Sequence, residues 1–167
     1  MATLPNAANN QNTFENRQIR RMDRPESEFT DKVVQIKRVS KKTKGGNQIA
    51  FTALVVSGDR KTRVGVGHGR AKSVADAIQK AVARAHKSMV TIRTNNGTII
   101  GAIKFKFKGA VVLLRPGKAG SGLIAGGPVR SVVELAGIKD VASKIVGSKN
   151  KSVNVWAAFK ALTTLQK

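Results

Sequence analysis

The positive charge of this chain is concentrated in one part of its sequence. Lys and Arg number 31 against 9 Asp and Glu, which gives a formal net charge of +22. Residues 1–30 contain four Arg and four acidic residues, so the entire surplus lies in residues 31–167. A folded unit that carries so many like charges repels itself unless a polyanion neutralises it. The sequence therefore predicts a basic folded part that binds a polyanionic partner.

Composition excludes several classes of protein. Hydrophobic residues make up 41% of the chain, enough for a packed core, so wholesale disorder is not expected. The absence of Cys excludes disulfides, thiolate metal sites and a Cys nucleophile. No apolar run approaches the roughly 20 residues that span a bilayer, and the first ten residues lack the basic start and apolar stretch of a secretory signal.

Residues 1–30 are predicted to be a flexible N-terminal extension. They are rich in Asn and show almost no apolar periodicity. An arginine cluster at 17–24 leaves two interpretations open: a segment that becomes ordered on a partner, or a solvated tail.

The first folded unit, residues 31–94, is predicted to begin with three strands. Residues 31–43 and 48–58 are rich in β-branched residues and flank a Gly-Gly pair at 45–46, which is typical of a hairpin. A third strand is expected at 63–69, where Gly occupies every second position. One face of that strand would carry almost no side chains, which lets another protein backbone or an RNA backbone approach closely.

A helix follows, beginning after Ser73. Asp76 three residues later gives a pattern like a capping box, and the next apolar residues recur at three- and four-residue spacing. The first unit is therefore β-β-β-α. Residues 95–98, with the sequence NNGT, are interpreted as a linker between two small cores.

The second unit, residues 98–167, is predicted to have the order β-β-α-β-α. In its first strand Ile103, Phe105 and Phe107 alternate with Lys104, Lys106 and Lys108, so the aromatic side would face the core. The later elements are listed in chain order: a strand at 110–116, a Gly-rich loop at 117–127, a helix at 128–136 with Gly137 as its C-terminal cap, a strand at 138–146, and a helix capped by Ser152.

The sequence gives little support for catalysis, and no cofactor or metal is predicted. His68 and His86 are the two imidazoles, and neither belongs to a metal-binding pattern. The segment GVGHGR lacks the glycine spacing of a dinucleotide-binding loop, and GKAGSGLIAGG lacks the order of a P-loop. Backbone amides in such loops bind anions, which suits RNA phosphate or a protein neighbour equally well.

Basic residues crowd the loops of the first unit without compensating acids, which favours contact with nucleic acid. Aromatic residues make up only 4% and Tyr is absent, so recognition of structured RNA by shape and phosphate is favoured over base stacking. The predicted RNA-binding cations are Lys37, Arg38, Lys41, Lys42, Lys44, Arg60, Lys61, Arg63, Arg70 and Lys72.

Both units resemble one known family. Residues 36–89 resemble the N-terminal domain of the small-subunit ribosomal protein five family, and NNGTI, the run from 113 to 148, and NVWAAFKAL continue the likeness in order. Two positions depart from the family pattern: Asn47 stands where an Arg is usual, and Thr62 replaces a common turn glycine. The chain also stops soon after its last helix.

The resemblance implies an α+β protein with an N-terminal domain like a double-stranded-RNA-binding domain. It also implies a structural, non-enzymatic constituent of the small ribosomal subunit that binds 16S-type rRNA. The resemblance further implies contacts with ribosomal proteins four and eight, a position near the messenger RNA entry path and an influence on decoding accuracy. It implies a location in cytoplasmic ribosomes, and an organellar ribosome is the alternative left open.

Particular residues are implied by the same resemblance. The hairpin from Arg38 to Gly46, with Ser40, Gly45 and Gly46, would contact rRNA. The segment from Gly117 to Arg130 would contact protein four, through Lys118, Gly120, Gly122, Gly126, Gly127 and Arg130. Two alternatives to the ribosomal assignment are a subunit of an RNA-processing enzyme and a free-standing binder of structured RNA.

Overall fold

The first sheet and its helix confirm the predicted β-β-β-α order. The structure is a computed structural model that describes residues 28–166, so the arginine cluster at 17–24 and most of the predicted extension lie outside the described residues. The sheet is antiparallel with strand order β1-β2-β3-β4. Its elements are β1 (Thr30–Thr43), β2 (Gly46–Gly58), β3 (Arg63–Ala71), α1 (Val74–Lys87) and the short β4 (Val90–Thr91).

The second sheet has the order β5-β6-β8-β7 and carries two helices. Its elements are β5 (Ile103–Phe107), β6 (Ala110–Pro116), β7 (Leu123–Ile124), α2 (Gly127–Leu135), β8 (Val141–Val146) and α3 (Lys151–Thr164). The two-residue β7, parallel to β8, lies inside the predicted Gly-rich loop and was missed, because two residues between glycines give no periodic signal.

Helix capping decides three predicted boundaries. The Ser73 side chain accepts a hydrogen bond from the Asp76 N–H at 3.1 Å, so the predicted cap is confirmed. The prediction that Ser152 caps the last helix is wrong, because the Asn150 side chain accepts the Ser152 N–H at 3.1 Å and the helix begins two residues earlier than expected. The strand predicted from residue 138 begins at Val141, because the Ile138 N–H still bonds the end of α2.

The glycine row of β3 is the place where α1 docks. A Cβ added at Gly65, Gly67 or Gly69 would lie 2.2, 2.0 or 2.1 Å from a carbonyl oxygen of α1. Those carbonyls belong to the alanines at 85, 81 and 77, the buried stripe of the helix. The glycine pattern left open whether a protein backbone or an RNA backbone lies against β3. The structure shows that it is the backbone of the protein's own helix α1.

The expectation of two separate cores is wrong. Leu54, Val56, Val64 and Val66 of the first sheet belong to the same buried cluster as the interior of the second unit. These side chains lie on the face of the sheet opposite α1, which would otherwise expose four large aliphatic groups to water. The second unit covers that face and fixes the two units against each other.

Candidate nucleic-acid interface

The hairpin formed by β1 and β2 projects beyond the end of the first sheet. Pairing between β2 and β3 stops at Phe51 and Ala71, whereas β1 and β2 remain paired as far as Thr43 and Gly46. Residues 39–50 therefore form a two-stranded extension beyond the sheet, which we call the hairpin arm. Five residues of strand extend it by about 16 Å. All its residues from 40 to 49 are exposed.

The arm carries positive charge on both of its faces. Side chains alternate along a strand, and residues paired directly across antiparallel strands share a face. Lys41 of the arm and Lys37 just before it therefore lie on one face, with Gln48 and Thr52 opposite them. The remaining predicted RNA-binding residues of β1, which are Arg38, Ser40 and Lys42, lie on the other face. Contact with a single flat surface would use only half of these groups.

The tip of the arm is a two-residue connection formed by Lys44 and Gly45. Gly46 has φ of +127°, a conformation that side chains disfavour, and its carbonyl accepts a hydrogen bond from Thr43 Oγ1 at 2.8 Å. A Cβ at Gly45 would meet no atom within 4 Å, so the tip is open to a partner. The predicted hairpin turn is confirmed, and its lysine stands at the far end of the arm.

A second group of cations lies at the base of the arm. Lys37 and Arg70 flank Thr52 in one cross-strand row, on the face opposite α1, with the two outer strands about 10 Å apart. Lys72 follows just after β3 and lines a groove of about 510 Å³ together with Arg70 and Asp76. The predicted cations of β1 and of the segment 70–72 are thus brought to one end of the sheet.

The loop between β2 and β3 is organised by one carboxylate. Asp59 Oδ1 accepts the backbone N–H groups of Lys61, Thr62 and Arg63 at 2.8–2.9 Å, and Oδ2 accepts the Arg63 Nε at 3.2 Å. Partial burial raises the pKa of Asp59, but these hydrogen bonds outweigh it and lower the pKa from 3.8 to about 2. Arg60 takes φ of +55° in this loop. The basic loop is therefore held in a defined shape.

Arg63 differs from the other predicted cations because its charge is already shared. Its guanidinium pairs with Asp59 and lies 3.8 Å from Glu28, and its Cζ lies 5.0 Å from the ring centre of Phe29. Among residues 28–166, the other predicted RNA-binding cations form no ion pair with an acid. Arg63 thus positions the loop, and Arg60 and Lys61 are the exposed cations that remain there.

The same loop contacts the second unit at the end of α2. The Arg60 N–H donates to the carbonyl of Leu135 at 3.1 Å, which satisfies one carbonyl of the last helical turn. A Cβ at Gly137 would lie 2.5 Å from the carbonyl oxygen of Arg60, and its φ is +79°. Gly137 is therefore confirmed as the predicted C-terminal cap of α2, and the backbone of the basic loop packs directly against it.

The segment with the predicted protein contacts, residues 117–130, is anchored at its centre and open at its tip. The Gly122 N–H donates to the carboxylate of the buried Asp140 at 2.8 Å. Gly120 and Gly122 have φ of +82° and +72°, and a Cβ at either would meet no atom within 4 Å. The other predicted contact residues, which are exposed, are Lys118, Gly126, Gly127 and Arg130.

The two histidines have structural neighbours. His86 Nε2 lies 3.4 Å from Asp31 Oδ1, and its ring centre lies 5.3 Å from that of Phe29. His68 is exposed, and its carbonyl accepts a hydrogen bond from Arg84 at 2.6 Å. Within the described part of the chain no three His, Asp or Glu side chains are grouped so as to hold a metal ion. Its helices are also too short or too polar to cross a membrane.

Sequence reasoning missed Asp59 as the organiser of the loop. The signal was available, since an Asp in a short polar segment between two strands commonly accepts backbone N–H groups from the residues that follow it. It also assigned no role to the exposed face of the second sheet, because alternation alone shows only that the lysines of β5 face away from the core.

Comparison with known proteins identifies relatives for both units. The model of the family described as "Ribosomal protein S5, N-terminal domain" matches residues 29–93, and that of the C-terminal domain matches residues 105–167. These two stretches correspond to the two sheets with their helices.

Curated relatives carry one name, "Small ribosomal subunit protein uS5". The protein from Campylobacter jejuni is 49% identical over 139 residues, which cover 83% of this chain and 95% of the relative. The protein from Treponema pallidum is 48% identical over 141 residues, covering 84% and 81%. The protein from Dehalococcoides mccartyi is 45% identical over 148 residues, covering 89% and 86%.

Proposed function

Because the chain belongs to the ribosomal protein S5 family, we propose that it is a structural constituent of the small ribosomal subunit that binds rRNA through the hairpin arm. The family is structural and not enzymatic, which disfavours the alternative of an RNA-processing enzyme subunit. The single observation that carries the proposal is the arm itself: an exposed two-stranded projection that bears cations on both faces and at its tip.

The distribution of charge on the arm supports insertion between RNA segments. Lys41 and Lys42 lie on opposite faces, so an arm that enters a crevice between two helices brings both to phosphates. The Gly-Gly tip is narrow, which allows it to pass between backbones. Asn47, exposed and paired with Lys42, gives the tip a neutral hydrogen-bonding group where a family member usually has a cation.

The base of the arm and the loop at the opposite end of the first sheet provide two further rRNA contacts. Arg70 and Lys72 stand at the end of β3, and Arg60 and Lys61 stand on the loop that Asp59 holds in shape. A preformed loop loses less conformational entropy on binding than a mobile one, so its charges are used efficiently. These groups fix RNA elements relative to each other and support subunit assembly.

Protein neighbours are proposed for the other unit. The open tip of residues 117–130, anchored through Asp140, is suited to a partner such as ribosomal protein four, and ribosomal protein eight is proposed as a second neighbour. Through such contacts, and through a position near the messenger RNA entry path, the protein would influence decoding accuracy. The named relatives are bacterial, which favours a cytoplasmic ribosome over an organellar one.

Co-sedimentation with small subunits tests this function. The full chain, expressed with a tag in cells from which the native copy has been deleted, should sediment with the small subunit after a wash at high salt. Accumulation at the top of the gradient would contradict the proposal and favour a free-standing RNA-binding protein. An unrelated protein of similar net positive charge, carried through the same wash, should remain at the top of the gradient, which controls for nonspecific adhesion of a cationic protein.

A further inference from the structure

The second sheet has one face that its helices leave uncovered. Helices α2 and α3 pack on the side that carries Val112, Leu114 and Phe105. The alternate residues of the same strands point away from the helices, and we call this side the open face. Its members are Lys104, Lys106, Val111, Leu113, Arg115, Ile124, Ala142, Lys144 and Val146.

Lysines flank a central aliphatic strand on the open face. Lys104 and Lys144 lie on either side of Leu113 in one cross-strand row, and Lys106 pairs with Val111 in the next. Val111 and Leu113 are nevertheless half-buried, whereas the lysines are exposed. Lysine stems cover apolar neighbours while the ammonium groups stay in water, so the aliphatic row is explained within the chain.

The charges of the open face have no such explanation. Arg115 extends the row of β6, which gives four exposed cations, and no acidic residue of β5, β6, β7 or β8 lies among them. None of the four belongs to an ion pair between described residues. Lys104 and Lys106 are about 6.6 Å apart along the strand, and Lys144 stands about 10 Å across the sheet from Lys104. Two shallow depressions of about 300 and 290 Å³ flank Leu113 and Arg115.

We propose that the open face is a second rRNA-binding surface, which receives the phosphate backbone of an RNA segment distinct from the one that the hairpin arm enters. The proposal rests on the proposed ribosomal function and extends it to the second unit. Charge complementarity carries it: four cations without a counter-charge, arranged on a rigid sheet, match a polyanion. A neighbouring protein would need to bring carboxylates to the same rows, and directed hydroxyl-radical cleavage separates that outcome.

A salt series on two triple variants tests the open face. Lys104→Gln, Lys106→Gln and Lys144→Gln are combined, and binding of the full chain to small-subunit rRNA is measured between 50 and 200 mM salt. Each lost phosphate contact reduces the slope of log K against log salt by about 0.7–0.9, so a decrease of about 2–3 is expected. The matched control combines Lys139→Gln, Lys149→Gln and Lys151→Gln, which remove the same charge from exposed positions off this face. Equal slopes for the two triple variants would overturn the proposal.

A second variant separates charge from folding. Replacing the same three lysines by Arg keeps the charge and the covering stems, so the slope should return to that of the parent chain. If the slope of log K against log salt is also reduced in the Arg variant, the lysines act through the fold and the proposal is wrong. Circular dichroism of each variant reports whether the sheet is intact.

Directed cleavage identifies the occupant. The chain has no Cys, so Ala142→Cys provides a single attachment point for an iron chelate on the open face. In reconstituted subunits, hydroxyl radicals from this site should cut rRNA at positions different from those cut from Lys149→Cys. Cleavage of a neighbouring protein without rRNA cuts would overturn the proposal and assign the face to a protein. If only the hairpin-arm variants reduce the slope of log K against log salt, the proposed ribosomal function is supported and only the proposal for the open face is wrong.

Discussion

The ammonium of Lys32 lies 2.9 Å from a carboxylate oxygen of Glu134, and this ion pair connects β1 of the first sheet to α2 of the second unit. The hydrogen bond from Lys32 lowers the pKa of Glu134 below its ordinary value of 4.5, and the charges of Arg130 and Arg60 act in the same direction. One acidic residue thus stands among three cations at the junction of the two units. The ion pair is thus one of the contacts that join the two units.

Replacement of Glu134 by Gln should weaken this junction slightly and in a pH-dependent way. The pair is partly exposed, so the free energy of unfolding at pH 7 should fall by no more than about 1 kcal/mol. Because the folded-state pKa is depressed, the stabilisation is present above pH 4.5 and is lost as the pH falls through the folded-state value. Urea titrations of both proteins at pH 7 and in acid measure the difference. A difference that persists unchanged in strong acid would contradict this account, and Glu28→Gln serves as an exposed control.

Replacement of Asp59 by Asn should have a larger effect, because the carboxylate accepts four hydrogen bonds. A pKa lowered from 3.8 to about 2 corresponds to a stabilisation on the order of 2 kcal/mol at neutral pH. The effect should be complete above pH 3.8 and should disappear as the pH approaches 2. Thermal or urea unfolding of the two proteins across this range checks it. Asp76→Asn, at an exposed position of α1, should change stability by less than about 0.5 kcal/mol; an equal effect at both sites would argue against a special role for Asp59.

Replacement of Gly67 by Ala tests the packing of α1 against β3. The added Cβ would lie 2.0 Å from the Ala81 carbonyl oxygen, so the helix must move away from the sheet. A loss of about 3 kcal/mol in the free energy of unfolding is expected from overpacking against a backbone. Gly45→Ala, at the open tip of the arm, is the matched control and should stay within about 0.5 kcal/mol of the parent chain. Equal stabilities of the two variants would refute the docking.

Much of the fold follows from the sequence because its signals are local. The Gly-Gly turn at 45–46, the cap at Ser73 and the alternation in β5 each determine a structure within a few residues, and each prediction is confirmed. The glycines of β3 were recognised as a site of close approach. The identity of the backbone that lies against these glycines depends on where α1 packs on the sheet, and no local sequence pattern contains that information.

The remaining differences come from contacts between units. Leu54 and Val56 alternate correctly for a strand, but the sequence does not say that a second unit covers them. Alternation alone places Lys41 and Lys42 on opposite faces, but which of these faces continues the side of the sheet opposite α1 depends on the register of β1 and β2, which the pattern leaves undetermined. The role of Asp59 was not predicted, because a single acid that accepts backbone hydrogen bonds leaves no pattern of paired acidic residues in the sequence.

The most direct test of the account is the salt dependence of rRNA binding by the hairpin arm. Lys41→Ala, Lys42→Ala and Lys44→Ala are combined in the full chain, and binding to small-subunit rRNA is measured between 50 and 200 mM salt. We expect weaker binding and a slope of log K against log salt that is shallower by about 2–3, while removal of Lys139, Lys149 and Lys151 leaves it nearly unchanged. A parent slope retained by the arm variant would mean that the arm does not contact phosphate, and the central claim would be wrong.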